Sequence, residues 1–252
     1  MANEGQAETA AGGEAPDFRP LYSQVKDLIL RRMVSGRWRP GEALPSEQRL
    51  AVEFGVSQGT VRKALDEMAA QNLVVREQGR GTFVASHQNP RAQFHFLHIV
   101  SDSGAKEMPT SRILALREAA ATREQCRRLG LAAGARVLRI LRVRAIKGAP
   151  VILERIVAPA ALLSGFDLPI GRESPDELYV IYEQRFGVAV AQAEESLKAV
   201  AADAADARHL GVAKGAALLE IDRIARSLDG TRVEWRLSRC NTAHHHYFSE
   251  IE

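Results

Sequence analysis

Positions 57–63 read Ser-Gln-Gly-Thr-Val-Arg-Lys. These side chains match what a nucleic acid presents. Arg and Gln pair bidentately with base edges, Thr meets a thymine methyl group or a phosphate, and Lys neutralises phosphate. A second constellation lies far downstream, where Arg142 and Arg144 interrupt an aliphatic run from Val137 to Ile146. Strand residues alternate faces, so both guanidiniums point the same way, beside Leu138, Ile140 and Ile146. Leu141, Val143 and Ala145 fill the other face, which makes this a central, buried strand. Buried guanidiniums need partners, because an unpaired buried charge is costly. Internal pairing with Glu154 or Glu234 would satisfy them; so would a bidentate grip on an anionic ligand. Glu154 shares their face only if the intervening hairpin has an odd-length loop.

The first constellation needs a short helix aimed outward, and the flanking residues supply one. Ser46 precedes Glu47-Gln48-Arg49-Leu50-Ala51 as a helix cap, Gly55 follows Phe54 as a left-handed stop, and Ser57 caps the next helix. Two short helices joined by a Gly-containing turn form a helix-turn-helix. Val61, Ala64, Leu65 and Met68 recur at helical spacing and face the core. Gln58, Gly59, Thr60, Arg62 and Lys63 then point outward at the end that enters a major groove. A solvated helix face with no partner is the plainer reading of the same pattern.

The flanks favour DNA. Leu73-Val74-Val75 and Thr82-Phe83-Val84 read as strands around Gln78-Gly79-Arg80-Gly81, a hairpin wing with Arg80 at its tip. Arg80 could reach a minor groove or a phosphate. The same glycines lack the Gly-x-Gly-x-x-Gly spacing and following helix of a nucleotide loop. Upstream, Leu21, Val25, Leu28, Ile29 and Met33 form an apolar helical stripe that ends before Pro40-Gly41. The order is helix, helix-turn-helix, wing.

Beyond His87 the pattern is α+β. Strands are expected at Phe94–Val100, Val137–Ile146, Val151–Val157, Ala189–Ala199, Leu218–Ser227 and Val233–Arg239. Ser111–Ala121 reads as a short segment ending in strand. Helices are expected at Glu124–Leu129, Glu177–Phe186 and Ala204–Leu210. Asp229-Gly230 is a strong hairpin signal. Successive hairpins imply an antiparallel sheet with helices packed on it. His244-His245-His246 offers at most His244 and His246 on one side of a strand, so an edge strand or tail explains it better than a metal site.

The chain has 252 residues, enough for two domains. Its net charge of +3 is small, but eleven basic against seven acidic residues fall within 18–86, where phosphate contact would need them. Residues 1–17 hold four acids and no base and read as a disordered tail rather than a signal peptide. No run is long enough to span a membrane. A cytoplasmic protein is the expectation, with Cys126 and Cys240 as free thiols. The boundaries expected are 18–86 for the winged helix, 87–93 for a linker and 94–252 for the second domain.

Leu21-Tyr22, Leu44-Pro45-Ser46-Glu47, Phe54-Gly55-Val56-Ser57, Thr60-Val61-Arg62-Lys63-Ala64-Leu65 and Gln78-Gly79-Arg80-Gly81-Thr82-Phe83-Val84 together resemble the GntR family of bacterial transcription regulators. The resemblance implies DNA contacts from Gln48, Ser57, Gln58, Thr60, Arg62, Lys63, Gly79 and Arg80. Gln48 and Gln58 stand where the family commonly has Arg, which implies an altered operator or lower affinity. Val143-Arg144 with Pro150–Glu154, Leu178-Tyr179, Phe186-Gly187-Val188, Ala193–Leu197, Ile221-Asp222-Arg223 and Val233-Glu234-Trp235 resemble the UTRA ligand-sensing domain of the HutC branch, whose fold is related to chorismate lyase. That resemblance implies effector contacts from Arg142, Arg144, Glu154, Tyr179 and Glu234, with Ser101, Asp102 and Ser103 closing over the ligand. Glu177 stands where a small hydroxyl residue is common, so the effector is expected to differ from phosphorylated sugars. The chain so read is a homodimeric repressor of a palindromic double-stranded DNA operator, controlled by a small anionic metabolite, with no cofactor and no membrane partner. The competing reading is an enzyme using Glu154 or Glu234 as acid or base; no nucleophile–base pair accompanies them.

Overall fold

The computed structural model describes residues 19–87, 96–104, 107–174 and 177–250. The expected acidic tail and residues 88–93 of the expected linker lie outside them.

The winged helix is built from local signals. Helix α1 (Leu21–Val34) buries Val25, Ile29 and Met33. Helix α2 (Glu47–Phe54) starts where Ser46 Oγ accepts from the Arg49 amide at 3.3 Å. It stops at Gly55, whose φ of 66° only glycine adopts without strain. Helix α3 (Gln58–Ala70) is capped by Ser57, whose Oγ accepts from the Thr60 amide at 3.1 Å. Its Val61, Ala64, Leu65 and Met68 are all buried, as their spacing requires. Strands β1 (Val74–Glu77) and β2 (Gly81–Val84) pair antiparallel, Val74 opposite Val84, and make the wing.

The second domain adds β3 (Ile99–Ser101), β4 (Thr110–Ala120), α4 (Arg123–Leu129), β5 (Arg136–Ile146), β6 (Ala149–Pro159), β7 (Glu173–Ser174), α5 (Leu178–Phe186), β8 (Val190–Ala201), α6 (Ala204–Leu210), β9 (Ala217–Ser227), β10 (Arg232–Cys240) and β11 (His245–Tyr247). Seven strands form one antiparallel sheet in the order β7-β4-β5-β6-β10-β9-β8. Helix α5 packs on one face, placing Leu178, Tyr179 and Tyr182 against Ile140, Ile156 and Ala225. Helices α4 and α6 cover the other face. Leu129 meets Val137, Val157 and Trp235, and Leu210 meets Val143, Leu153 and Leu218.

Two expectations need correction. The short segment expected at Ser111–Ala121 is an eleven-residue strand. A bulge between Ile113 and Ala115 breaks its alternation and hid its length. The strand expected at Phe94–Val100 is only Ile99–Ser101 among the described residues, because Phe96 is used instead in packing against His87 and Tyr179. The His244–His246 run lies at an edge, where β11 pairs with β3. His246 Nδ1 meets Asp102 Oδ1 at 3.0 Å, but no group of three metal ligands forms among the described residues. No described helix is long and apolar enough to cross a membrane.

Candidate DNA-reading face and effector pocket

The capped start of α3 and the turn before it leave Ser57, Gly59, Arg62 and Lys63 exposed, with Gln58 and Thr60 half-buried beside them. Gln48 is exposed on α2, and Gly79 and Arg80 on the wing tip. The structure adds Glu47, which the sequence did not reveal. Glu47 accepts from Arg62 Nε at 3.0 Å and from Gln58 Nε2 at 3.2 Å, and lies 3.5 Å from Arg76 of the wing. One carboxylate on α2 thereby orients two of the candidate DNA-contacting residues on α3. The hydrogen bond from Arg62 holds the Glu47 carboxyl below its usual range against the opposing effect of burial, with Gln58 and Arg76 assisting. Lys63 is docked over the Tyr22 ring at 4.1 Å, and Arg80 pairs with Glu77 and covers Phe83.

The sheet domain gathers its charges under α5. Register places Glu154 directly opposite Arg142. The loop is the two-residue turn Lys147-Gly148, both at positive φ, so the odd-length loop expected for a shared face is not what forms; the bulge at Arg144/Ala145 supplies the extra residue that brings Glu154 onto the arginine face. On the same face Arg236 of β10 stands opposite Ile156 of β6 and Arg223 of β9, and Arg223 stands opposite Glu195 of β8. The result is a row of charges across five strands, with carboxylates near its two ends and Arg236 and Arg223 side by side. Glu154 accepts from Arg142 Nε at 2.5 Å and from Arg236 Nη1 at 3.1 Å. Glu234 accepts from Arg236 and from the hydroxyls of Tyr179 and Tyr182 at 2.7–3.1 Å. Arg144 pairs with Glu177, the cap residue of α5. Burial would raise the Glu154 carboxyl, but Arg142, Arg236 and Arg144 outweigh it and hold the group far below the carboxylate range. Burial lowers Arg144, and the like charges of Arg142 and Arg236 add to that against Glu177 and Glu154.

Internal pairing thus accounts for Glu154 and Glu234, but it does not satisfy the whole row. Arg142 is 1% exposed, and among the described residues its Nη1 and Nη2 have no hydrogen-bond partner; neither do the buried Ser111 Oγ and Arg144 Nε. Two small cavities adjoin these groups. One of about 80 Å³ is bordered by Arg142, Ser111, Arg172, Leu178 and Ile181. One of about 20 Å³ is bordered by Arg144, Glu177, Tyr179, Arg223, Arg236 and His87. Ser101, Asp102 and Ser103 border neither. They form an exposed turn in which Ser101 and Ser103 bond each other and Asp102 holds His246. Arg223, Arg236 and Tyr182 join the same candidate site, and the sequence pattern did not single them out. They come from β9, β10 and α5, and only strand register and the docking of α5 bring them together.

A winged helix-turn-helix with an exposed reading face, joined to a sheet domain with an arginine-lined pocket, defines a DNA-binding transcription regulator with a ligand-sensing domain. Residues 21–84 match the gntR family of bacterial regulatory proteins and residues 105–246 match the UTRA domain. The chain belongs to the GntR family of bacterial transcription regulators, in its HutC branch. It is 32% identical over 219 residues to a histidine utilization repressor of Pseudomonas putida, covering 86% of each chain. It is 29% identical over 216 residues to the transcriptional repressor NagR of Bacillus subtilis, covering 85% of this chain and 88% of that one. The solved ligand-binding domain of a GntR-family regulator from Bordetella bronchiseptica is 32% identical, with a TM-score of 0.58, spanning 63% of this chain and 98% of that one. The sheet domain has the chorismate-lyase-like fold, and the named relatives are repressors.

Proposed function

We propose that this chain represses transcription as a homodimer on a palindromic operator and releases it when a small anionic metabolite enters the pocket under α5. The observation that supports this best is the guanidinium of Arg142, buried with two N–H groups unpartnered beside the unpartnered Ser111 hydroxyl. Buried donors without acceptors are destabilising, and an oxyanion supplies the missing acceptors. Arg142 and Arg144 grip the anion, Glu154 and Glu234 hold the arginines in place, and Tyr179 lines the outer end. On the DNA side, Gln48, Ser57, Gln58, Thr60, Arg62, Lys63, Gly79 and Arg80 meet the duplex, with two half-sites matching the two-fold protein. A relative is named for histidine utilization; a nutrient-derived anion is accordingly the first effector class to screen.

Two substitutions test the pocket. Arg144→Ala leaves operator affinity unchanged and reduces the effector's power to release DNA; loss of operator binding instead would make Arg144 structural. Glu177→Gln removes the carboxylate that competes for Arg144. Affinity for anions, read by calorimetry, rises about tenfold, the scale of one charge-assisted hydrogen bond. A fall in affinity would mean that Glu177 is itself a ligand contact. Linkage demands that the operator weaken effector binding by the same factor that effector weakens operator binding. Equal effector affinity with and without operator would end the switching account.

A further inference from the structure

One residue of α5 binds the segment that leaves the winged helix. Glu183 accepts from Ser86 Oγ at 2.5 Å and from the His87 amide at 2.8 Å. Ser86 and His87 directly follow the wing strand β2, and His87 Nε2 meets the Val190 carbonyl at 2.8 Å. Ala191 and Leu228 of the sheet domain pack on the winged-helix core. The winged helix is therefore docked on the sheet domain, and Glu183 fastens its exit.

The same docking covers the pocket. The His87 ring lies 5.5 Å from the Tyr179 ring and 5.6 Å from Phe96, and Phe96 lies edge-on to Tyr179 at 5.3 Å. Tyr179 donates to Glu234 and carries the Arg236 guanidinium over its ring. Arg223, in the charged row, donates to the Phe96 carbonyl at 2.5 Å. Tyr179 and Glu183 are four residues apart and so share one side of α5. Between His87 and Phe96 on one side and Arg144, Arg223 and Arg236 on the other, the space is about 20 Å³. That is room for about one water molecule. A metabolite therefore has no room beside Arg144, Arg223 and Arg236 while His87 and Phe96 keep these positions. Burial lowers the His87 imidazole against the opposing Val190 and Glu183 contacts, which suits its place in a dry aromatic cluster.

We propose that Glu183 is the positioning residue that couples the effector pocket to the DNA-binding half, by holding Ser86 and His87 docked where His87 and Phe96 cover the arginines. Effector entry and docking of the winged helix then exclude each other. The coupling is competition for one small volume, and it needs no long chain of relayed contacts. It rests on the reading that the pocket around Arg142 and Arg144 takes an anion.

The test uses the full chain and inorganic phosphate as the probe, with calorimetry for affinity and small-angle scattering for the spread of the two halves. Glu183→Ala is expected to bind phosphate about tenfold more tightly, because closure no longer competes with entry. Phosphate should expand the wild-type particle and leave the already released variant unchanged. Ser86→Ala, which removes one of the two contacts, should move both readouts the same way by less. A residue with a purely structural role would lower the Tm of its variant without tightening phosphate binding. Equal affinities in wild type and Glu183→Ala, or binding by neither, overturn the coupling. Arg142→Gln separates the two layers. If it abolishes phosphate binding while Glu183→Ala changes nothing, the pocket reading stands and the coupling falls. If phosphate binding survives Arg142→Gln, the pocket reading itself falls.

Discussion

Glu154→Ala is expected to destabilise the sheet domain by about 3–5 kcal/mol, the cost of removing one partner from a buried ion network. Glu154 is 2% exposed and sits within 2.5 Å of Arg142, 3.1 Å of Arg236 and 3.9 Å of Arg144. Without it three guanidiniums, two on β5 and one on β10, face one another across β6 under α5. Arg142 then loses the one acceptor it has among the described residues, since its other two nitrogens have none there. Glu234 still serves Arg236, so the loss falls on the β5 side of the row. The acid response gives a second readout. The Glu154 carboxyl titrates below its unfolded range, so its contribution is complete above the ordinary carboxylate range and is lost only as pH falls through the depressed value. Removing Glu154 removes a contribution that persists into strong acid. The sheet-domain transition of the variant should lie below that of wild type across the whole range above the ordinary carboxylate pKa. Urea unfolding followed by Trp235 fluorescence measures this. A change below about 1 kcal/mol would mean that water or a rearranged Glu177 compensates the arginines.

Arg62→Ala is expected to weaken operator binding by about 1–3 kcal/mol, the scale of one bidentate base contact. Arg62 projects from the start of α3 with its side chain 57% exposed and its guanidinium held by Glu47, whereas Lys63 lies over Tyr22. Arg80, 72% exposed, belongs to the wing tip and is paired to Glu77. Glu47 fixes the guanidinium fork before DNA arrives, which limits the rotamer entropy lost on binding. The loss should be larger on operator than on scrambled DNA, because a base contact carries sequence information and a phosphate contact does not. Competition titrations on the two DNAs measure the ratio. An equal loss on both would reassign Arg62 to phosphate, and no loss would remove it from the reading face.

What the sequence made legible is what short-range chemistry encodes. Ser46, Gly55 and Ser57 set the helix boundaries through caps that span three residues or fewer, and the structure uses all three. The shared face of Arg142 and Arg144 followed from strand alternation alone. Their partners did not, because a strand's neighbour is fixed by register and not by spacing. Glu154 was conditional on the loop, and the bulge beside Ala145 decided it. Arg223 and Arg236 arrive from β9 and β10, with nothing local to announce them. Glu47 is a similar case, since it crosses from one helix to the next to reach Arg62 fifteen positions on. Ser101–Ser103, named only through the family resemblance, lies at the β3–β11 edge, where Asp102 meets His246. His87 looked like the first residue of a linker and is instead buried against Tyr179.

The central claim is that this chain reads a specific DNA sequence. Fluorescence anisotropy on the DNA immediately upstream of its own gene, across a salt series and against scrambled DNA, tests it most directly. The account predicts tight binding to the first, weaker binding to the second, and affinity that falls steeply with salt on both as phosphate contacts release counterions. Equal affinity for the two DNAs at every salt concentration, or binding to neither, would contradict it.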